Sequence, residues 1–126
     1  MRCIIAGSRG ITDFGLVVEA VRRAGFVITE VVSGTARGVD HLGERYAEQE
    51  GLPLRRFPAD WARYGRSAGY RRNEAMIDYA GQAPDGGALI ALWDEVSRGT
   101  RHTIEAASRQ GLKVFVLHVR AATAPR

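Results

Sequence analysis

The chain has one cysteine among its 126 residues, and Cys3 lies inside the first apolar run. No internal disulfide can form, and a thiol in that setting reads as a core side chain, not a nucleophile. Lysine is equally scarce. Lys113 stands alone, so the net charge of +4 and the pI near 9.8 are carried by arginine. No apolar run approaches membrane-spanning length. The N-terminus enters a strand-like segment directly, without the basic start and longer apolar stretch of a signal peptide. The expectation is a cytoplasmic protein with no membrane partner. Neither G-x-G-x-x-G nor G-x-x-x-x-G-K-[ST] occurs, which removes the usual nicotinamide and P-loop fingerprints. His41, His102 and His118 lack metal-ligand spacing, so no metal and no cofactor is expected. There is no lysine-rich run, no low-complexity segment and no internal repeat.

What remains is a chain long enough for one continuous core. Its apolar content of 45% and charged content of 25% are those of an ordinary globular protein. The arginine excess favours an anionic partner, nucleotide or nucleic acid, although most of these arginines read equally as solvated side chains.

Strand and helix signals alternate. Cys3 to Ala6 reads as a buried strand ending at Gly7. Thr12 or Asp13 caps a helix whose apolar positions Phe14, Val17, Val18 and Val21 keep helical spacing, with Gly25 as stop. A second strand centres on Val31 and Val32. Gly38 opens a second helix through Leu42, Tyr46 and Ala47, closed by Gly51. Leu54 to Phe57 is a third strand, and its flanking Pro53 and Pro58 with Arg55 and Arg56 suit a sheet edge. A connection from Ala59 to Ala68 leads into a helix bearing Tyr70, Arg71, Arg72, Asn73, Met76 and Ile77. The run Ala88 to Leu92 is the fourth strand. A helix follows around Thr100 and stops at Gly111, and Lys113 to Val119 contains the fifth strand. Residues 121–126 read as a frayed tail to a single domain over residues 1–120.

Five strands alternating with four helices predict an α/β, Rossmann-like three-layer domain with a parallel sheet covered on both faces. Right-handed crossovers and an edge position for the third strand give the order 3-2-1-4-5. In such sheets ligands bind beyond the carboxyl ends where the order reverses, here between the first and fourth strands.

Three turns fall on that edge, each joining glycine to a hydroxyl and an arginine. Gly7-Ser8-Arg9-Gly10 alone reads as structural. Ser33-Gly34-Thr35 would let a ligand approach the backbone, with Arg37 adding charge. Gly38 opens the helix, and Asp40 is a ligand contact or a first-turn acid. Trp93-Asp94 and Ser97-Arg98-Gly99-Thr100 lead from strand to helix, where free N–H groups suit a phosphate or carboxylate. Asp94 could take a ribose hydroxyl or act as a general base. Trp61, Tyr64 and Tyr70 could stack on bases or cover the core.

The ordered set Gly7-Ser8-Arg9, Ser33 to Asp40, Phe57 to Trp61, Ala68 to Asn73 with Met76, Trp93-Asp94 and Ser97 to Thr100 resembles the YspA-like branch of the SLOG superfamily. The resemblance spans the chain except its tail. It implies a small Rossmann-like domain of bacterial or phage origin that binds a nucleotide or nucleotide-derived ligand, and relatives that assemble as homodimers or higher oligomers. It also brings two neighbours, the LOG phosphoribohydrolases and the single-strand DNA binder DprA. Against the LOG pattern P-G-G-x-G-T-x-x-E, Gly99 and Thr100 match the G-T pair and Ser97-Arg98 replaces the glycines. Thr103 stands where the glutamate belongs, and the nearest acid is Glu105. Arg72, followed by Asn73, matches the arginine of the LOG R-K pair.

The resulting expectation is nucleotide binding across Gly7 to Arg9, Ser33 to Arg37, Arg72 and Gly99-Thr100, with Asp94 on the sugar. The alternatives are an N-glycosidic hydrolase using Arg72 with Asp94 or Glu105, and a single-stranded nucleic-acid binder. An oligomer is expected through the helix around Met76, Ile77 and Tyr79.

Overall fold

The computed structural model describes residues 1–120; the expected tail, residues 121–126, lies outside the described residues. The elements run β1 (Arg2–Gly7), α1 (Phe14–Ala24), β2 (Glu30–Ser33), α2 (Val39–Glu50), β3 (Leu54–Arg56), α3 (Trp61–Tyr64), a 3₁₀ turn (Gly65–Ser67), α4 (Ala68–Gly81), β4 (Gly87–Trp93), α5 (Arg98–Arg109) and β5 (Lys113–His118). All five strands pair in parallel in the order β3-β2-β1-β4-β5, as the crossover argument requires. The longest central pairing, β1 with β4, runs from Arg2 opposite Gly87 to Gly7 opposite Leu92.

Both faces of the sheet are buried because its two central strands are apolar through Cys3–Ala6 and Ala88–Leu92, with side chains alternating between faces. Cys3, Ile5, Val31, Ile90 and Leu92 pack under α1 and α2 with Val17, Ala20, Val39 and Ala47. Ile4, Ala6, Val32, Leu89 and Ala91 pack under α4 and α5 with Met76, Ile77, Ala106 and Ala107. Burial pushes the Cys3 thiol up to about 12, as expected of a core side chain. No helix of the described residues is long and apolar enough to cross a membrane.

Two details differ from the sequence reading. The connection from Ala59 to Ala68 is helical, since Asp60 caps α3 by accepting the Arg63 amide at 3.1 Å. Met76 and Ile77 lie within the core at 1% and 2% exposure, and the Tyr79 hydroxyl donates to Glu30 at 2.7 Å. The apolar surface invoked for subunit contact is therefore consumed inside the fold.

Candidate functional site

The turns after β1, β2 and β4 are packed against one another at the point where the strand order reverses. Ser8 ties the two central strands together. Its amide donates to the Leu92 carbonyl at 3.1 Å and its hydroxyl accepts the Asp94 amide at 3.1 Å. A Cβ on Gly7 would come within 2.2 Å of the Leu92 carbonyl oxygen, so the residue at that strand end must be glycine. Gly38 has φ +76°, and a Cβ there would lie 2.6 Å from the carbonyl oxygens of Ser8 and Arg9. Both conformation and contact demand glycine at that position.

An inner cleft of about 80 Å³ opens between these turns, lined by Gly7, Arg9, Asp40, Arg72, Gly99 and Thr100 among others. Two outer clefts, of about 290 and 220 Å³, adjoin it; both share Arg9, Arg72 and Trp61. A shallower groove of about 500 Å³ between α2 and β3 has mixed charge and lies apart from the three turns.

Arg72 is held from α4. Its Nη1 donates to the Gly34 carbonyl and its Nε to Asn73 Oδ1 at 2.9 Å. Asn73 Nδ2 is 3.5 Å from His102 Nδ1. Burial lowers the guanidinium's pKa, an effect opposed by the Asp40 charge and reinforced by Arg9. Asp40 is only 5% exposed, and its Oδ2 accepts the Ala36 amide at 3.1 Å. Burial raises its carboxyl to about 6 against the opposing pull of that hydrogen bond and of Arg72. It is thus more than a first-turn acid: it is the carboxylate lining the inner cleft. Thr35, beside it, has φ +64°, an unusual conformation for a β-branched residue and one that clusters at ligand sites.

Ser97 caps α5, its hydroxyl accepting the Thr100 amide at 3.3 Å and lying 3.0 Å from the Thr100 hydroxyl. The Trp93 indole N–H donates to the Ser97 carbonyl at 3.0 Å. With Thr100 satisfied by the cap, the amides of Arg98 and Gly99 are the first-turn donors left without an intrahelical acceptor. Thr103 reaches back to the Gly99 carbonyl at 3.0 Å and also lines the inner cleft.

Of the residues singled out from sequence, Gly7, Arg9, Gly34, Thr35, Arg37, Asp40, Arg72, Asn73, Ser97, Gly99 and Thr100 converge on the three clefts. Six do not line them. Ser8 is 1% exposed and spent on the strand ends, and Gly38 is packed under the first turn. Ser33 donates to Glu44 at 2.7 Å and accepts the Thr35 amide at 3.1 Å. Trp93 supports the α5 cap. The Asp94 carboxylate accepts the Val96 and Ser97 amides at 2.9 and 2.8 Å, so it shapes the turn. Glu105 is exposed on α5, paired with Arg101 at 3.2 Å.

Arg66 escaped the sequence reading. Its signal was available: Trp61 to Arg72 holds four arginines and no acid, matching the +4 of the whole chain. That segment walls the outer clefts, with Trp61 at 52% and Tyr70 at 44% exposure. Among the described residues no three His, Cys, Asp or Glu side chains converge as a metal site would need.

The profile of a family described as the YspA, cpYpsA-related SLOG family matches residues 1–64, from β1 through α3. The Gene 61 protein of Mycobacterium phage D29 is 33% identical over 125 residues, covering 90% of this chain and 94% of that protein. This similarity extends over Arg72 and the α5 turn, which lie beyond the family match. No solved structure matches the chain. With the parallel 3-2-1-4-5 sheet and the glycine-turn cleft at its carboxyl edge, these matches establish that the chain belongs to the YspA, cpYpsA-related SLOG family.

Proposed function

We propose that the chain binds a nucleotide or nucleotide-derived ligand at the carboxyl edge of its sheet. The observation that carries this reading is the pairing of Arg72 and Arg9 with the first turn of α5 around one small cleft. Arg72 is fixed by two hydrogen bonds before any ligand arrives, so little side-chain entropy remains to be lost on binding. Two guanidiniums and free helix-start amides complement a phosphate. The exposed rings of Trp61 and Tyr70 beside it offer a stacking surface to a base.

A nucleoside phosphate should then raise the melting temperature, with a stability gain near RT ln(1 + [L]/Kd), about 2.7 kcal/mol at a hundredfold excess over Kd. Arg72→Ala should abolish the shift. Random-sequence single-stranded DNA is the control. Stronger stabilisation by DNA than by any nucleotide, lost steeply in salt, would replace this reading.

A hydrolytic reading has one observation in its favour. Asp40 is a buried carboxyl whose pKa is lifted to about 6 beside Arg72, a setting suited to a general acid or base. Asp94 and Glu105, the acids expected from sequence, face elsewhere. Chromatography of a nucleoside monophosphate after long incubation tests it, since hydrolysis would release free base and ribose phosphate.

A further inference from the structure

The three clefts meet at the same two arginines. Arg9 and Arg72 line all of them, and Trp61 borders both outer arms. The inner cleft, at about 80 Å³, is the smallest of the three. Its lining by Arg9, Arg72, Gly99 and Thr100 suits phosphate oxygens. The outer arms are several times larger, at about 290 and 220 Å³. Each adds an arginine of its own, Arg37 in the larger arm and Arg66 in the smaller.

We infer that the site takes two nucleosides joined through phosphates, with the phosphates at Arg9 and Arg72 and one base in each arm. The inference rests on the nucleotide reading and extends it to the ligand's class. A mononucleotide would fill one arm and leave the other arm's arginine and share of the indole to water. A ligand with its charge in the middle and a ring at either end matches the sequence of environments, which runs from one arm through the paired arginines to the other. Gly69 supports the arrangement. A Cβ on it would stand 3.3 Å from Cη2 of Trp61, so the bare backbone lets the indole lie close on α4 at the border of both arms.

The test is calorimetric titration of the full chain with diadenosine 5′,5′-diphosphate and with ADP, repeated on Arg37→Ala and Arg66→Ala. Both arginines are exposed, so their loss should spare the fold. Stacking of the second base should make the dinucleoside bind at least about fivefold more tightly than ADP. Each substitution should weaken its binding by about two- to fivefold, the scale of one exposed charge contact. Equal affinity for the two compounds overturns the inference, as does an effect on the dinucleoside from only one of the two arginines. If neither compound binds, the nucleotide reading falls and this inference with it, an outcome distinct from ADP binding alone.

Discussion

Asp40 and Arg72 approach each other over the backbone of Gly34: a Cβ there would lie 2.8 Å from Oδ2 of Asp40 and 2.9 Å from Nη1 of Arg72. The glycine is needed for space, since its φ lies outside the left-handed region. It brings a buried carboxyl and a half-buried guanidinium to the wall of one cleft, and the Gly34 carbonyl itself anchors the guanidinium. Gly34→Ala should therefore cost about 1–3 kcal/mol through overpacking and also weaken nucleotide binding, because Arg72 must move. Urea denaturation and a ligand-induced melting shift measure the two effects. An alanine variant unchanged in both would show that the pair yields freely.

The fold was readable because its boundaries are written in residues whose backbone chemistry is local. Glycines stop α1 and α2, and the proline and arginine pair around β3 marks it as an edge. The short α3 was missed because four residues are fewer than a periodicity argument needs. The turns of the site were readable for the same local reason, but the direction of their side chains was not. The Asp94 carboxylate turns inward to its own loop while its amide is held by Ser8 at the end of the neighbouring strand, and Ser33 is drawn to Glu44 on α2. Those choices are made by tertiary partners distant in sequence.

The buried acid should leave a mark on the pH dependence of stability. The Asp40 carboxyl moves from 3.8 to about 6 on folding, chiefly through burial. Between those values the folded chain binds more protons than the unfolded one. The stabilising contribution is full below about pH 3.8 and is lost as pH rises through about 6. At 1.36 kcal/mol per pKa unit this amounts to on the order of 3 kcal/mol or less. Asp40→Asn keeps an acceptor for the Ala36 amide and cannot ionise. The difference in unfolding free energy between variant and wild type should grow in the variant's favour between pH 4 and 7. A difference independent of pH would place the Asp40 titration elsewhere.

Asp94 should behave oppositely. Partial burial alone would raise its pKa, but the Ser97 and Val96 amides and the Ser8 hydroxyl more than reverse that. A lowered folded value means stability that is present above the ordinary carboxylate range and lost as pH falls through the folded pKa. Asp94→Ala removes the acceptor of two backbone amides and should cost about 1–2 kcal/mol of stability, with nucleotide affinity nearly unchanged. Weaker binding without destabilisation would restore this carboxylate to the ribose.

Ser97 and Thr100 divide capping and cleft lining between them at the start of α5. Ser97 is the cap, since its hydroxyl accepts the Thr100 amide. Thr100 is buried, with its hydroxyl 3.0 Å from that cap and its side chain on the inner cleft. Ser97→Ala should thus lower folding stability by about 1 kcal/mol, the usual worth of an N-cap. Thr100→Ala leaves the cap with its amide donor, so it should cost less stability. It should instead weaken phosphate binding by about 1.5–3 kcal/mol if the hydroxyl donates to the anion, or about tenfold or more in Kd. Measuring melting temperature and ligand affinity on both variants resolves the division. Should Thr100→Ala lose stability with intact affinity, its hydroxyl serves the cap, and the anion is held by the arginines and the Gly99 amide.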